Sequence, residues 1–334
     1  MGGEQAEASI VIPSYNGGED FKECLRMVFG QQVKFPFEVI VIDSGSTDGT
    51  LDFLKGYHIR LKQISPKEFN HGLTRNMGIE LAEGKYVVLI GQDAIPADGY
   101  WLENILENFQ DELAAGVYCR QIPREDSDVL TKRHLNSWLT GRKSRFINFI
   151  ENWEAYTGLE PIKKLMLCTF DDVCSCVRKS VLEKIRYTET YFAEDLEWGK
   201  KAIEAGYKIA YEPRAAVIHS HNRSFLYEYK RTYLCHRRLF ELFRLQTVPT
   251  FIHALLFFFY NILKDSLYVI RKEKNWKRKF YQDIEFDSYD PTRSIFSKDF
   301  KFKKRLIGER DYDADIVKIN NLFEFKKNIF NRQS

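Results

Sequence analysis

Four apolar runs, each closed by a small polar cluster and separated by stretches of helical spacing, constrain the fold of this chain most. Residues 9–13 (Ser-Ile-Val-Ile-Pro) read as a buried strand ending in a turn at 14–18. Phe37–Asp43 reads as a second strand, followed by Ser44-Gly45-Ser46-Thr47-Asp48-Gly49-Thr50. A third strand is expected at 59–64, and a fourth, Tyr86–Ile90, runs into Gly91-Gln92-Asp93. Between them, Phe21, Cys24, Leu25, Val28 and Phe29 have helical spacing within 20–32. Asp48 is placed to cap a short helix at 51–56, and a helix over 73–83 closes at Gly84. Strands alternating with short helices predict an α/β fold, a Rossmann-like, mostly parallel sheet flanked by helices. Ligands of such sheets sit beyond the carboxyl ends of the strands, where these polar clusters fall.

After residue 98 the pattern loosens into a helix over 101–109 and a short strand near 117–120. A polar stretch covers 124–164, β-rich sequence is expected over 165–177, and two apolar pieces at 209–211 and 216–218 finish the core. The chain has 334 residues, 44% hydrophobic, with 26 Phe and 18 Tyr, enough core for one large or two small domains. A net charge of +3 gives no reason to expect nucleic acid as a partner. Neither G-x-G-x-x-G nor G-x-x-x-x-G-K-[ST] occurs, which weighs against dinucleotide and P-loop chemistry. Among the six cysteines only Cys174 and Cys176 are close-set, with neither zinc nor redox spacing, so core thiols in a reducing compartment are expected. The first eight residues read as a polar leader with no secretion signal.

Several polar groups carry chemistry. Glu194 and Asp195 stand where a helix closed by Gly206 should begin, and a helix N-terminus favours ionised carboxylates. Such a carboxylate can take a proton from a substrate hydroxyl, although acidic residues are also ordinary in a first turn. Asp43 ends a strand and can accept from a base or ribose, or simply build its turn. Asp93 offers hard oxygen to a divalent cation. His219 and His221 share one side of a strand end, suited to metal or phosphate, or to being ordinary surface histidines. Arg75 places a guanidinium at a helix start, fit for phosphate or base.

Together, Ile10-Val11-Ile12-Pro13-Ser14-Tyr15-Asn16, Val41-Ile42-Asp43-Ser44-Gly45-Ser46-Thr47-Asp48, Arg75-Asn76-Met77-Gly78, Gly91-Gln92-Asp93 and Glu194-Asp195 resemble the family-two inverting glycosyltransferases. The match spans roughly 9–224 and implies a GT-A fold. By this resemblance Pro13, Tyr15, Asn16, Asp43, Arg75, Gln92 and His221 line the nucleotide-sugar, and Asp93 and His219 hold a divalent cation, Mn2+ or Mg2+. Asp93 matches the last Asp of the family's D-x-D motif, whose first Asp is Gly91 here. Asp195 matches the catalytic base, with Glu194 beside it. The variants at 43–48 and 92–96 are similar to rhamnosyltransferases, which implies dTDP-L-rhamnose as donor in bacterial cell-surface polysaccharide synthesis. A UDP- or GDP-sugar donor, or a weakly catalytic carbohydrate-binding or membrane scaffold subunit, is the alternative.

The expected organisation is a catalytic domain over 1–224, with a donor half at about 9–98 and an acceptor half at about 99–224. Basic amphipathic helices follow over 225–280, and a charged tail over 281–334. The apolar run at 251–263 is shorter than the roughly 20 residues a bilayer span needs. With the basic residues around it, it suits an anionic membrane surface, or else a helical extension or a homo-oligomer contact. A cytoplasmic, peripheral place on the inner face of the membrane would suit a glycan or polyprenyl-diphosphate-linked acceptor.

Overall fold

The computed structural model describes residues 5–272. The expected tail at 281–334, residues 273–280 of the basic segment and the first four residues lie outside the described residues. The chain forms two compact units that divide after Pro249.

The first unit is built on one sheet of nine strands. These are β1 (Ala8–Ser14), β2 (Phe37–Asp43), β3 (Arg60–Gln63), β4 (Tyr86–Ile90), β5 (Ile95–Pro96), β6 (Ala114–Ile122), β7 (Phe146–Asn148), β8 (Cys174–Arg178) and β9 (Lys208–Ile218). Their order is β3-β2-β1-β4-β8-β6-β9-β5, with β7 also paired to β9. β1 to β4 run parallel, β8 runs against both β4 and β6, and β6 and β9 are parallel. β1, β2, β3, β4, β6 and β9 therefore all point one way. Their carboxyl ends, and the residues leading into β8, meet at a single edge of the sheet.

Helices cover both faces. Along the first part of the chain come α1 (Gly18–Phe29), α2 (Thr50–Leu54), α3 (His71–Leu81) and α4 (Trp101–Leu106). The rest of the unit adds α5 (Val129–Ser137), α6 (Trp153–Thr157), α7 (Pro161–Cys168), α8 (Lys179–Leu182) and α9 (Glu194–Glu204). One core packs Phe21, Leu25, Trp101 and Ile105 under one face, and the other packs Ile79, Phe170, Trp198 and Ile203 under the opposite face. Strands covered on both sides explain the near-continuous apolar runs of β1, β2 and β4.

Local chemistry moves several expected boundaries. α3 begins at His71 because the Asn70 side chain accepts from the Leu73 amide at 3.1 Å. It ends at Leu81, so Gly84 is not its cap. Gly84 instead passes against β1, where a Cβ would lie 2.6 Å from the Ala8 carbonyl carbon. Its amide donates to Ser9 Oγ at 2.8 Å. The stretch at 165–177, expected to be β-rich, enters β8 only at Cys174 and opens inside α7. Pro161 starts that helix with φ already set, and Leu165 and Cys168 form its buried face. The pieces at 209–211 and 216–218 are one strand, β9, with a bulge where its pairing to β6 skips from Glu212 to Ala216.

The first unit also takes in α10 (Phe225–Phe243), which the sequence reading placed in a separate extension. Phe243 is buried in the core, with Leu239, Leu242 and Leu245 packed against it, and Arg238 pairs with Glu197 of α9. The second unit contains α11 (Phe251–Lys272), 22 residues long. Its side chains are exposed around the helix, Phe251 at 76% and Phe259 at 65%, and it closes on Arg271 and Lys272. No helix among the described residues is long and apolar enough to cross a membrane.

Candidate active site

The loops after β1, β2 and β4 lock together. Asn16 adopts φ 45°, a left-handed conformation that asparagine tolerates better than most residues. Its Oδ1 accepts from the Thr47 amide at 2.8 Å, and its own amide donates to Ser46 Oγ at 2.9 Å. Gln92 clamps Tyr15 in both directions, its Oε1 accepting from the Tyr15 amide at 2.9 Å and its Nε2 donating to the Tyr15 carbonyl at 3.0 Å. Asp43 is fully buried: Oδ1 accepts from Ser14 Oγ at 3.0 Å, and Oδ2 accepts from the amides of Gly45 and Ser46. Tyr15, Asn16, Asp43 and Gln92 thus share one loop framework, with Pro13 opposite Ile42 at its base.

Asp93, His219 and His221 converge a short way along the same edge, their ligating atoms all within 4.8 Å of one another. His221 Nε2 lies 3.2 Å and His219 Nε2 3.8 Å from the Asp93 carboxylate. Burial pushes His219 down to about 4 and lowers His221 as well, against the pull of the Asp93 charge. Two neutral imidazoles and a carboxylate form a donor set that suits a divalent cation. A Cβ at Gly91 would stand 3.1 Å from Asp93 Oδ1, so a larger residue there would crowd that carboxylate. Arg124 closes the near side, donating to the Asp93 carbonyl at 2.9 Å and pairing with Asp20 at 2.8 Å.

Glu194 and Asp195 open α9 as expected, after Ala193 in a left-handed turn at φ 53°. The two carboxylates differ sharply. Glu194 is buried and paired to Arg75, and Arg75 Nε also lies 3.5 Å from Asp172. Burial pushes Glu194 up, but the Arg75 guanidinium and His71 outweigh it and hold the carboxyl low. Arg75, expected at the nucleotide, therefore stands among these carboxylates. Asp195 is half-buried and accepts from the Leu196 amide at 2.7 Å and the Asp172 amide at 3.2 Å. Burial, then the charges of Glu194, Asp172 and Asp171, raise it well above the usual carboxylate range.

Sequence reasoning missed Asp171, Asp172, Gln121 and Arg124. Asp171 is pushed by burial up to about 6 and accepts from Gln121 Nε2 at 3.0 Å. The adjacent aspartates ahead of β8 were the one local signal available. Their partners are 50 and 97 residues away in the chain.

The family profile described as "Glycosyl transferase family 2" matches residues 9–186. The O-antigen chain rhamnosyltransferase WbaN of Salmonella anatum is 36% identical over 227 residues, covering 67% of this chain and 69% of the relative. The O-antigen chain rhamnosyltransferase RfbN of Salmonella typhimurium is 34% identical over 229 residues, with the same coverage. Among solved structures, a mannosyltransferase from Pyrobaculum calidifontis superposes at a TM-score of 0.49 with 18% identity, covering 68% of this chain and 61% of that one.

Proposed function

This chain belongs to glycosyl transferase family 2, and on that premise we propose that it is a metal-dependent, inverting rhamnosyltransferase. It would move L-rhamnose from dTDP-L-rhamnose to a glycan or polyprenyl-diphosphate-linked acceptor of a cell-surface polysaccharide. The observation that carries the sugar assignment is the likeness to two O-antigen rhamnosyltransferases, 36% and 34% identical over two thirds of the chain. The convergence of Asp93, His219 and His221 at the sheet edge that also carries Asp195 supports the chemistry.

In this reading Asp195 accepts the proton of the attacking acceptor hydroxyl. Its raised affinity for protons makes it a stronger base, once ionised, than an exposed aspartate, and general-base catalysis by a positioned side chain is worth about 10²- to 10⁴-fold in rate. Inversion needs one such base, opposite the leaving group. Glu194, tied to Arg75, is not free to take the proton and instead fixes the start of α9. Asp93, His219 and His221 would hold the cation, which supplies positive charge against the negative charge gathering on the departing nucleoside diphosphate. The interlocked loops after β1, β2 and β4 would receive the nucleoside. We place the reaction on the cytoplasmic face of an anionic membrane, with the exposed apolar surface of α11 as the lipid contact.

The test is a thermal shift against dTDP, UDP and GDP, with and without Mn2+ or Mg2+, followed by transfer from dTDP-L-rhamnose in excess EDTA. Stabilisation by dTDP with metal, and loss of transfer on chelation, are expected. Stabilisation by UDP or GDP alone would move the donor assignment, and silence toward every nucleotide would leave a carbohydrate-binding scaffold. Flotation with anionic liposomes tests the surface contact, and protein staying at the bottom of the gradient would remove it.

A further inference from the structure

We propose that Gln121 is the positioning residue that presents the His219 imidazole to the cation site and ties that site to the carboxylates around Asp195. The inference rests on the metal reading above. Gln121 lies near the end of β6 and is 5% exposed. It pairs with Val217 in the parallel ladder, and His219 is two residues further along, so both side chains project to the same side.

The two ends of its amide are not interchangeable. Nε2 lies 3.0 Å from Asp171 Oδ2, and an ionised carboxylate can only accept, so the NH₂ end must face Asp171. That leaves Oε1 facing His219 Nδ1 at 3.1 Å, and the carbonyl oxygen requires a hydrogen on that nitrogen. A neutral imidazole has only one N–H, so its lone pair falls on Nε2. Nε2 is the atom that points to Asp93. At its other end Gln121 holds Asp171, and the next amide, that of Asp172, donates to Asp195 Oδ2 at 3.2 Å. Hydrogen bonds from His219 through Gln121 to Asp171, the covalent chain from Asp171 to Asp172, and the Asp172 amide bond therefore link the cation site to the proposed base.

Such outer partners typically change metal affinity by about 10- to 100-fold. The full-length protein is titrated with Mn2+ at pH 7.5 as wild type, Gln121→Leu and Gln121→Glu. Leucine removes both bonds, whereas glutamate keeps an acceptor for Nδ1–H and gives up only the donor to Asp171. The leucine variant is expected to bind Mn2+ about 10- to 100-fold more weakly, with glutamate within a few-fold of wild type. Nitrogen NMR of metal-free, histidine-labelled wild type should show His219 protonated on Nδ1. Equal Mn2+ affinity in the leucine variant, a glutamate variant as weak as leucine, or an Nε2-protonated His219 would overturn the proposal. A wild type that binds no Mn2+ removes the metal reading instead, and the NMR tautomer still decides the Gln121 contact. Should the leucine variant fail to fold, the glutamate variant and the wild-type spectrum carry the test.

Discussion

Arg75→Met removes the guanidinium paired with Glu194 and Asp172 while keeping an unbranched chain of similar length. In the wild type the Arg75, Glu194 and Asp172 side chains are 11%, 10% and 0% exposed, so solvent cannot take over the lost pairing. Breaking a buried pair on one side costs about 3–5 kcal/mol. At roughly 2–4 °C per kcal/mol for a domain of this size, the melting temperature should fall by about 6–20 °C at pH 8. The pH dependence carries a sign. Glu194 is held below its usual value in the folded wild type, so its contribution is present above the unfolded value of 4.5 and fades as pH falls through the folded one. Without Arg75, burial and the neighbouring acids push Glu194 up instead, and the variant loses stability as pH rises. The gap between variant and wild type should therefore be widest near pH 8 and narrow toward pH 5.5, measured by urea unfolding at both. A loss under about 1 kcal/mol at pH 8, or one independent of pH, would refute this electrostatic reasoning. A loss of dTDP affinity at unchanged stability would return Arg75 to the nucleotide.

Asp195→Asn should lower transfer by about 10²- to 10⁴-fold in a rhamnosyl-transfer assay while dTDP affinity stays within a few-fold. The folded Asp195 binds its proton more tightly than the unfolded one, so stability present at low pH is lost as pH rises through the folded value. The asparagine variant should accordingly melt no lower than wild type at pH 8, and wild-type transfer should rise with pH through that raised value; a wild-type profile with no ascending limb above the usual carboxylate range would contradict the base assignment. Gly84→Ala would drive a Cβ into the β1 backbone and should cost about 1–3 kcal/mol in urea unfolding, whereas unchanged stability would mean that the strand can yield.

The first four strands were legible in sequence because their signals are local. The runs of β1, β2 and β4 and the polar residues directly after them need only a few neighbouring positions to be read. The start of α9 was visible for the same reason. Gln121 gave no local sign: its role exists only because β6 lies beside β9, bringing it to a histidine 98 residues away. Arg75 sat in a readable motif, yet its partners on α9 and before β8 come from tertiary packing. Pro161 was a usable helix-start signal, outweighed by the β-branched and cysteine-rich sequence after it. The packing of α10 was not readable either, since Arg237 and Arg238 lie against Tyr191 and Arg238 also pairs with Glu197, contacts made across the fold.

The five residues between α7 and β8 touch nearly every part of the centre. Asp171 meets Gln121, Asp172 meets Arg75 and Asp195, and the Val173 carbonyl receives the Gly91 amide at 3.0 Å. Chain-length variation is usually absorbed by surface connections at small entropic cost. Here one inserted residue would pull Asp171, Asp172 and Val173 away from their partners at once. Insertions and deletions among functional versions of this enzyme should therefore collect in the polar stretch at 124–164, leaving the length of 169–173 fixed. A library of single-residue insertions across both segments, scored for transfer, would display that contrast directly.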